Sequence, residues 1–476
     1  MRISTLTLIF LQIAGLAISS HAADSRSEAK TAKGKPNIIF ILADDMGYGD
    51  LGCFGQKTLA TPNLDRMAAE GMKFTRHYAG STVCAPSRCV LLTGLHTGHC
   101  TVRGNGAANL KPKDETVAEV LKKAGYATAC VGKWGIGNPP PLNEPGEQGF
   151  DLFYGYINMF HAHNFYPEFL IRNGKKEKLR NVTKPEWKRD GREDGGPKEG
   201  AGVAKVKKDY APDLIANEAV KFIEQHKNGP FFLYFAMNVP HANNEGGADK
   251  DQRDGMEVPD YGEFTSRDWP NPEKGFASMM RNIDRDVGRV LAKLKELGIE
   301  DNTLVIFSSD NGPHAEGRHE MEYFNSNGSL RGMKRDLYDG GVRVPTIARW
   351  PGKVKAGTET DLLSGFQDVL ATCADLAGVA TAKTDGISFV PTLMGNPQEQ
   401  HRHEYLYWEF LEKGGKQGVV TDRWKAIRLN TTKNPDGPLE LYDLKKDISE
   451  ENNIASEHSD LIRKFAEIMK AEHRDE

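Results

Sequence analysis

The sequence predicts an α/β protein with a large, mostly parallel sheet between helices and a smaller C-terminal antiparallel subdomain. Three continuous apolar runs have the composition of strands that are buried on both faces of a parallel sheet: 37–43, 231–237 and 303–308. Amphipathic patterns predict helices that alternate with these strands, the longest over 279–297. Short apolar segments between 403 and 446 predict the antiparallel strands of the subdomain.

Composition divides the 476 residues into four parts. Residues 1–22 hold a long apolar run with small residues before a cleavage point, which predicts a signal peptide. The polar stretch 23–35 predicts a flexible lead-in. A catalytic domain is expected over 36–396, and a subdomain of antiparallel strands and a helix over 397–476. The signal peptide predicts a secreted or periplasmic protein.

Charge and hydropathy argue against two classes of partner. The formal net charge is −4, which does not suggest a protein that binds nucleic acid. Beyond the predicted signal peptide no stretch is long and apolar enough to predict a membrane span. We therefore expect neither nucleic acid nor membrane as a partner.

Oxygen-bearing side chains follow two of the apolar runs. Asp44 and Asp45 end the first run, and Asp310 and Asn311 follow 303–308. Parallel sheets bind ligands at the carboxyl ends of their strands, so these side chains are expected to meet. Adjacent carboxylates repel, and a hard divalent cation removes that repulsion, although a solvated turn would also explain each pair.

The stretch 83–94 predicts a turn that runs into a helix. Pro86 suits the first helical turn, and Gly94 suits the end. Cys84 is then expected just before the helix, where unpaired N–H groups favour negative charge. Arg88, one turn on, can point its guanidinium at the same place. The stretch therefore predicts an anion pocket with a sulfur atom at its mouth.

A structural role for the cysteines is the alternative to this prediction. In an exported protein Cys84 and Cys89 could form disulfides. If Cys84 is modified, five cysteines remain, so not all of them can pair within the chain. The spacing of the six cysteines matches no zinc-binding pattern. They are Cys53, Cys84, Cys89, Cys100, Cys130 and Cys373.

Further basic and imidazole groups lie at predicted strand ends and in loops. Lys133 follows a predicted strand and can reach an anion beside Arg88, and His241 follows 231–237 as a candidate for proton transfer. His163 lies in an aromatic segment that suits either a sugar face or a packed loop. The charged insertion 173–209 predicts a solvated surface loop.

A family resemblance lies in the run Cys84-Ala85-Pro86-Ser87-Arg88, followed by Leu92-Thr93-Gly94. The run resembles the signature of the formylglycine-dependent (type I) sulfatases of the alkaline phosphatase superfamily. The resemblance implies the alkaline phosphatase-like fold and oxidation of Cys84 to formylglycine by a maturation enzyme. It implies an aldehyde hydrate as nucleophile and a sulfated mono- or oligosaccharide as substrate, with galactose or N-acetylgalactosamine sulfates as the expected sugars.

The same resemblance implies a role for each candidate residue. One Ca²⁺ per chain would be held by the modified Cys84 and by four further ligands: Asp44, Asp45, Asp310 and Asn311. Arg88 matches the residue that holds the formylglycine. Lys133 and Lys334 match the lysines that grip the sulfate, and His241 matches the histidine near the leaving oxygen.

One position departs from the family pattern. Family members commonly read Gly-Lys-Trp-His where this chain has Gly135 as the fourth residue. The absent histidine usually takes the proton that lets sulfate leave, so another group must replace it. His163 is the favoured candidate, with His161 and His314 as alternatives.

Two rival functions stay open at the level of sequence. A phosphatase or phosphodiesterase of the same superfamily would share the fold, but such enzymes typically use a Ser or Thr nucleophile and a zinc pair. A catalytically impaired protein that binds sugar sulfates is the non-enzyme alternative, and Gly135 is the feature that supports it.

Overall fold

The computed structural model describes residues 34–106, 109–137 and 141–474. The predicted signal peptide and nearly all of the predicted lead-in therefore lie outside the described residues. The strands of the described chain are β1 (Asn37–Asp44), β2 (Met72–Phe74), β3 (His77–Tyr78), β4 (Ala127–Lys133), β5 (Leu152–Tyr156), β6 (Phe169–Arg172), β7 (Lys175–Lys178), β8 (Val182–Thr183), β9 (Ala204–Val206), β10 (Phe231–Pro240), β11 (Thr303–Ser309), β12 (Thr346–Arg349), β13 (Thr358–Thr360), β14 (Ser364–Gly365), β15 (Leu406–Phe410), β16 (Lys416–Val420), β17 (Trp424–Leu429) and β18 (Leu439–Asp443).

Helices connect most of these strands. In chain order the α-helices of the described chain are α1 (Pro62–Ala69), α2 (Cys84–Thr93), α3 (Val117–Lys123), α4 (Glu144–Glu147), α5 (Met159–Ala162), α6 (Ala211–His226), α7 (Asn244–Ala248), α8 (Asn271–Glu296), α9 (Asp339–Val342), α10 (Asp368–Ala377), α11 (Val390–Leu393) and α12 (Ser459–Glu472). Within the described ranges, the structure contains no helix with both the length and the apolar character needed to cross a membrane.

One mixed sheet of ten strands organises the chain. Its strand order is β13-β2-β12-β11-β1-β10-β4-β5-β6-β7. The five central strands, from β11 to β5, are mutually parallel, and antiparallel pairs flank them on both sides. The carboxyl ends of β1, β4, β10 and β11 consequently meet at one edge, where ligands of such sheets bind.

Both faces of the sheet are covered by helices. Ile39 and Ile41 of β1 belong to a buried cluster that also contains residues of α6 and α8. Phe40 and Leu42, which point to the opposite face, belong to a second cluster with residues of α2, α3 and α10. This two-sided burial is why the strand residues form continuous apolar runs rather than alternating ones.

A separate antiparallel sheet forms near the C-terminus. Its strands follow the order β15-β16-β17-β18, and α12 packs against it through Phe465 and Met469. Trp408 of β15 fixes this sheet to the rest of the chain, since its indole Nε1 donates to the Ala79 carbonyl over 3.0 Å. The predicted fold class is therefore confirmed, while the domain boundary at 396/397 stays a prediction.

Some sequence expectations differ from the structure in detail. The long helix begins at Asn271 rather than at 279, because Pro272 occupies its first turn and Gly275 interrupts the amphipathic pattern there. Strand β16 was not predicted. The insertion 173–209 is not simply a loop, since it contains β7, β8 and β9.

Candidate active site

The helix that carries Cys84 is buried along its whole length. Val83 is extended (φ −146°, ψ 162°) and Cys84 is the first helical residue, so the helix starts at the cysteine and not after it. Gly94 ends the helix in the left-handed region at φ 69°, as its sequence predicts. The Ser87 hydroxyl accepts a hydrogen bond from the Gly80 N–H over 3.1 Å and fixes the turn before the helix.

The Cys84 side chain is not activated as a thiolate. It is only 2% exposed, and burial raises the pKa of its thiol to about 12. A cysteine nucleophile needs the opposite shift, toward a low pKa in an electropositive setting. All six cysteines lie within the described ranges and are unpaired, so the structure contains no disulfide at Cys84 or Cys89.

Arg88 lies one turn after Cys84 and bridges two strand ends. Its Nε and Nη2 donate to Asp310 Oδ2 over 3.1 and 2.8 Å, and Nη1 donates to the Lys133 carbonyl over 2.8 Å. Nη2 also lies 3.5 Å from Asp44 Oδ1. The guanidinium is fully buried, which opposes its charge, but Asp310 and Asp44 outweigh the burial and raise the pKa of Arg88, so the group stays charged.

Two lysines pair with the two aspartates at the end of β1. Lys133 Nζ donates to Asp44 Oδ2 over 2.7 Å, and Lys334 Nζ donates to Asp45 Oδ2 over 2.7 Å. Burial opposes the charge on Asp44, but the charges of Lys133 and Arg88 outweigh it and hold the pKa of this carboxyl below its ordinary value. Three cations thus surround the first helical turn.

The ends of β1 and β11 meet as their sequences predict. Asp45 adopts a positive φ of 68°, which is uncommon for a residue with a side chain. This conformation turns its backbone N–H to Asp310 Oδ1 over 3.0 Å, while Asn311 Nδ2 donates to Asp45 Oδ1 over 2.7 Å. Burial and the neighbouring Asp44 carboxylate raise the pKa of Asp310 to about 7.

The donor atoms of this edge fit a hard divalent cation. Asp44 Oδ1 and Asn311 Oδ1 are buried oxygens without a hydrogen-bond partner in the structure. One ligand atom each from Asp44, Asp310 and Cys84 lie within 4.8 Å of one another. The side-chain donors apart from Cys84 are oxygens, the set that Ca²⁺ and Mg²⁺ prefer, and unpaired buried acceptors are otherwise costly.

His241 lies beside Lys334 as a neutral imidazole. Its Nδ1 lies 2.7 Å from the Ala242 carbonyl and therefore carries the proton, and its Nε2 lies 3.1 Å from Lys334 Nζ and 3.4 Å from Asp45 Oδ2. Burial, and then the Lys334 charge, lower the pKa of His241 to about 3. Its Nε2 thus accepts from Lys334 within reach of the metal edge.

His163 forms the next layer of this group. Its ring stacks on that of His241, with ring centroids 4.8 Å apart and planes inclined by 16°. Its Nδ1 lies 3.3 Å from Glu245 Oε2. The structure therefore brings His163 to His241, and not into a contact with Cys84.

The two alternative histidines are held by hydrogen bonds to the backbone, although His314 also stacks on His241 with ring centroids 6.0 Å apart. His161 is buried, its Nε2 lies 2.9 Å from the Phe169 carbonyl, and its ring packs on Tyr156. His314 uses both ring nitrogens, since Nε2 lies 3.0 Å from the Pro240 carbonyl and Nδ1 accepts from the Glu316 N–H over 3.0 Å. His314 therefore has no ring nitrogen left for a further bond, whereas His161 Nδ1 is buried without a hydrogen-bond partner among the described residues.

Gly135 lies between two of the site cations. Its φ is 66°, and a Cβ built on it would lie 3.0 Å from Lys133 Cε and 3.2 Å from Arg88 Cδ. A side chain at this position would therefore enter the charged pocket, but with backbone strain and close contacts.

Sequence reasoning missed several charged residues around the site. Glu316 accepts hydrogen bonds from Lys334 and Arg335 over 3.1 and 2.7 Å. Burial opposes the charge on Glu316, but Lys334 and Arg335 outweigh it and lower the pKa of Glu316. Glu245 and Arg192 form a similar pair behind His163, 3.2 Å apart. No local motif marks these residues, because their partners are distant in the sequence.

A mostly parallel sheet between helices, with cations and carboxylates gathered at the carboxyl ends of its central strands, defines an enzyme of the alkaline phosphatase-like fold. Residues 36–379 match the sequence model of the sulfatase family, and residues 332–475 match that of the C-terminal region of N-sulphoglucosamine sulphohydrolase. The chain belongs to the sulfatase family and is an enzyme of sulfate ester hydrolysis.

Individual relatives agree with this assignment. The chain is 29% identical to an N-acetylgalactosamine-6-O-sulfatase of Bacteroides thetaiotaomicron, with 92% of this chain and 93% of the relative covered. It is 31% identical to human arylsulfatase A, with 88% of this chain and 83% of the relative covered. A structure from work on glycosaminoglycan metabolism by Bacteroides thetaiotaomicron has a TM-score of 0.74, at 27% identity, and covers 93% of this chain and 100% of that one.

Proposed function

We propose that the chain removes sulfate from a sulfated saccharide with a formylglycine hydrate at position 84 and one calcium ion. The observation that carries this proposal is the burial of Cys84 among three cations, Arg88, Lys133 and Lys334, beside orphaned oxygens at the ends of β1 and β11. A thiol with a pKa of about 12 is a poor nucleophile, which supports its conversion to another group.

The oxygen ligands proposed for calcium are Asp44, Asp45, Asp310 and Asn311, with the modified residue 84. When bound, the ion would supply charge for the sulfuryl oxygens and lower the pKa of a coordinated hydroxyl. Arg88 holds Asp310 and so fixes one ligand.

The lysines and His241 act on the sulfate ester itself in this proposal. Lys133 and Lys334 bind sulfuryl oxygens, because an entering anion can replace part of their carboxylate pairing. His241 gives the leaving oxygen its proton, since the negative charge of a bound sulfate favours the protonated imidazole. His163 takes the proton that departs with sulfate release, in place of the histidine absent at position 135.

The saccharide substrate is inferred from relatives and from the site. The name of the Bacteroides relative includes N-acetylgalactosamine, which supports galactose or N-acetylgalactosamine sulfates as substrates for this chain. A maturation enzyme that oxidises Cys84 is the partner that this chemistry requires. The predicted signal peptide would direct the protein to the periplasm or out of the cell.

Turnover of an aryl sulfate against the matching aryl phosphate, with and without Ca²⁺, tests the proposal. We expect calcium-dependent hydrolysis of the sulfate, no comparable hydrolysis of the phosphate, and complete loss in Cys84→Ala. Cys89→Ala is the matched control, because Cys89 is a buried cysteine of the same helix. Preferred hydrolysis of the phosphate would indicate the phosphatase alternative, and binding of sugar sulfates without turnover would indicate the impaired protein.

A further inference from the structure

A buried carboxylate lies directly behind His163. Glu245 Oε2 is 3.3 Å from His163 Nδ1, and the Glu245 side chain is 6% exposed. Burial opposes its charge, but the hydrogen bond from His163, the charge of that ring when it is protonated, and the charge of Arg192 outweigh the burial and lower the pKa of Glu245 to about 2. The group is therefore an ionised carboxylate, which can only accept hydrogen bonds.

This contact selects one tautomer of His163. Because the carboxylate accepts, the proton of the neutral ring must be on Nδ1, which leaves the lone pair on Nε2. The stack on His241 fixes the plane of the ring at the same time. Carboxylates impose this combination of tautomer and orientation on the imidazole bases of hydrolases and on metal-bound histidines.

The insertion 173–209 holds the other oxygen of Glu245. Arg192 Nη2 donates to Glu245 Oε1 over 3.2 Å, and the Arg192 guanidinium carbon lies 5.2 Å from the centre of the Trp187 ring. Trp187 Nε1 in turn donates to Asp249 Oδ2 over 2.8 Å. The insertion is therefore docked against the segment that follows His241.

The local backbone of Glu245 is fixed as well. Asn243 caps α7, since its Oδ1 accepts from the Gly246 N–H over 3.0 Å. Asn243 Nδ2 also donates to the Gly202 carbonyl of the insertion over 3.1 Å. Glu245 is thus held by its own turn, by Arg192 and by His163.

We propose that Glu245 is a positioning residue that keeps His163 in the Nδ1–H tautomer, with Arg192 of the insertion holding Glu245 in place. The inference rests on the proposed function, in which His163 Nε2 is the base for sulfate release. In that step the C–O bond to sulfate breaks and sulfate leaves with its electron pair, while the second hydroxyl on the same carbon becomes the C=O group of the aldehyde. The proton of that hydroxyl passes through water to Nε2, because the ring does not contact residue 84, and later returns to solvent. The pair Glu245–His163 thereby replaces the histidine that is absent at Gly135.

Steady-state and burst kinetics of Glu245→Gln test the inference. Loss of an outer hydrogen-bond partner typically costs about 10–100-fold, and we expect that loss in kcat on a sulfated sugar. KM should fall with kcat, so that kcat/KM changes little, and the burst of released alcohol should be retained, because only sulfate release is slowed. Added to His163→Ala, the same change should cost nothing further. Glu218→Gln is the matched control, because Glu218 is a buried carboxylate that pairs with Arg172 away from the site.

A tautomer measurement separates this inference from the proposed function. ¹⁵N-labelled histidine can be observed in Cys84→Ala protein, which needs neither maturation nor turnover, and His163 is identified by the signals lost on its replacement. We expect Nδ1 protonated and Nε2 unprotonated, and loss of that state in Glu245→Gln. An Nε2–H tautomer, or an equal kinetic loss from Glu245→Gln with and without His163, would overturn the role of Glu245. Full activity of Cys84→Ala would instead remove the proposed function and leave the tautomer result standing.

Discussion

Replacing His241 by Ala separates leaving-group protonation from sulfate binding. General acid catalysis typically contributes roughly 10²–10⁴-fold, which corresponds to about 3–5 kcal/mol of transition-state stabilisation. We expect this loss in kcat on a sugar sulfate, whose alkoxide is a poor leaving group. An aryl sulfate with a good leaving group should lose much less, because it needs little protonation.

The structure makes His241 a better probe than Lys334 for this purpose. Removing the neutral imidazole leaves the Ala242 carbonyl without its ring partner, which costs on the order of 1–3 kcal/mol of folding stability. Lys334→Ala would leave Asp45 and Glu316 without their shared cation, and breaking such a buried pair costs about 3–5 kcal/mol. Loss of fold would then obscure the loss of rate.

The assay compares kcat for a sulfated monosaccharide and for 4-nitrophenyl sulfate, in wild type, His241→Ala and His161→Ala. His161 is an equally buried histidine whose Nε2 bonds to the Phe169 carbonyl rather than to a residue of the charged site, so its variant controls for the loss of a ring. Equal losses on both substrates would show that His241 binds the sulfate group rather than protonating the leaving oxygen. An unchanged kcat on the sugar sulfate would refute any catalytic role.

Three further predictions concern the metal and sulfate release. Elemental analysis should find calcium and no stoichiometric zinc in active protein, and Asp310→Ala should lose metal and activity together; stoichiometric zinc without calcium would contradict this. His163→Ala should release a stoichiometric burst of alcohol and then turn over slowly in rapid-quench experiments, whereas a uniform drop without a burst would assign the residue to substrate binding. Gly135→His should speed sulfate release only if the pocket can accommodate the imidazole. The φ of 66° and the 3.0 Å distance from the added Cβ to Lys133 Cε favour destabilisation of the fold, measurable as a lower Tm, over faster sulfate release.

The parts of the site that sequence predicts are those that lie at strand ends. Asp44 and Asp310 follow buried apolar strands, and parallel strands in one sheet must bring such ends together. Pro86 and Gly94 mark the helix of Cys84 in the same local way, although the first helical residue is Cys84 itself. These inferences need only hydrophobic patterning and backbone chemistry.

The pairing of charges could not be predicted in this way. Lys334 meets Asp45 across 289 positions, and Arg192 meets Glu245 from an insertion whose sequence resembles any solvated segment. Which cation faces which carboxylate depends on packing between elements that are distant in the chain. Strand β16 was missed for a related reason, because Gly415 and Gly418 weaken its pattern and its neighbours in the sheet complete it.

Peptide mass spectrometry of residue 84 in fully active enzyme tests the central claim most directly. The protein should be produced in a host that has the maturation enzyme, and its specific activity on a sulfate ester should be measured on the same sample. We predict formylglycine at position 84 in proportion to that activity, with Cys89 of the same helix unmodified. Full activity with only a thiol or a disulfide at Cys84 would contradict the claim.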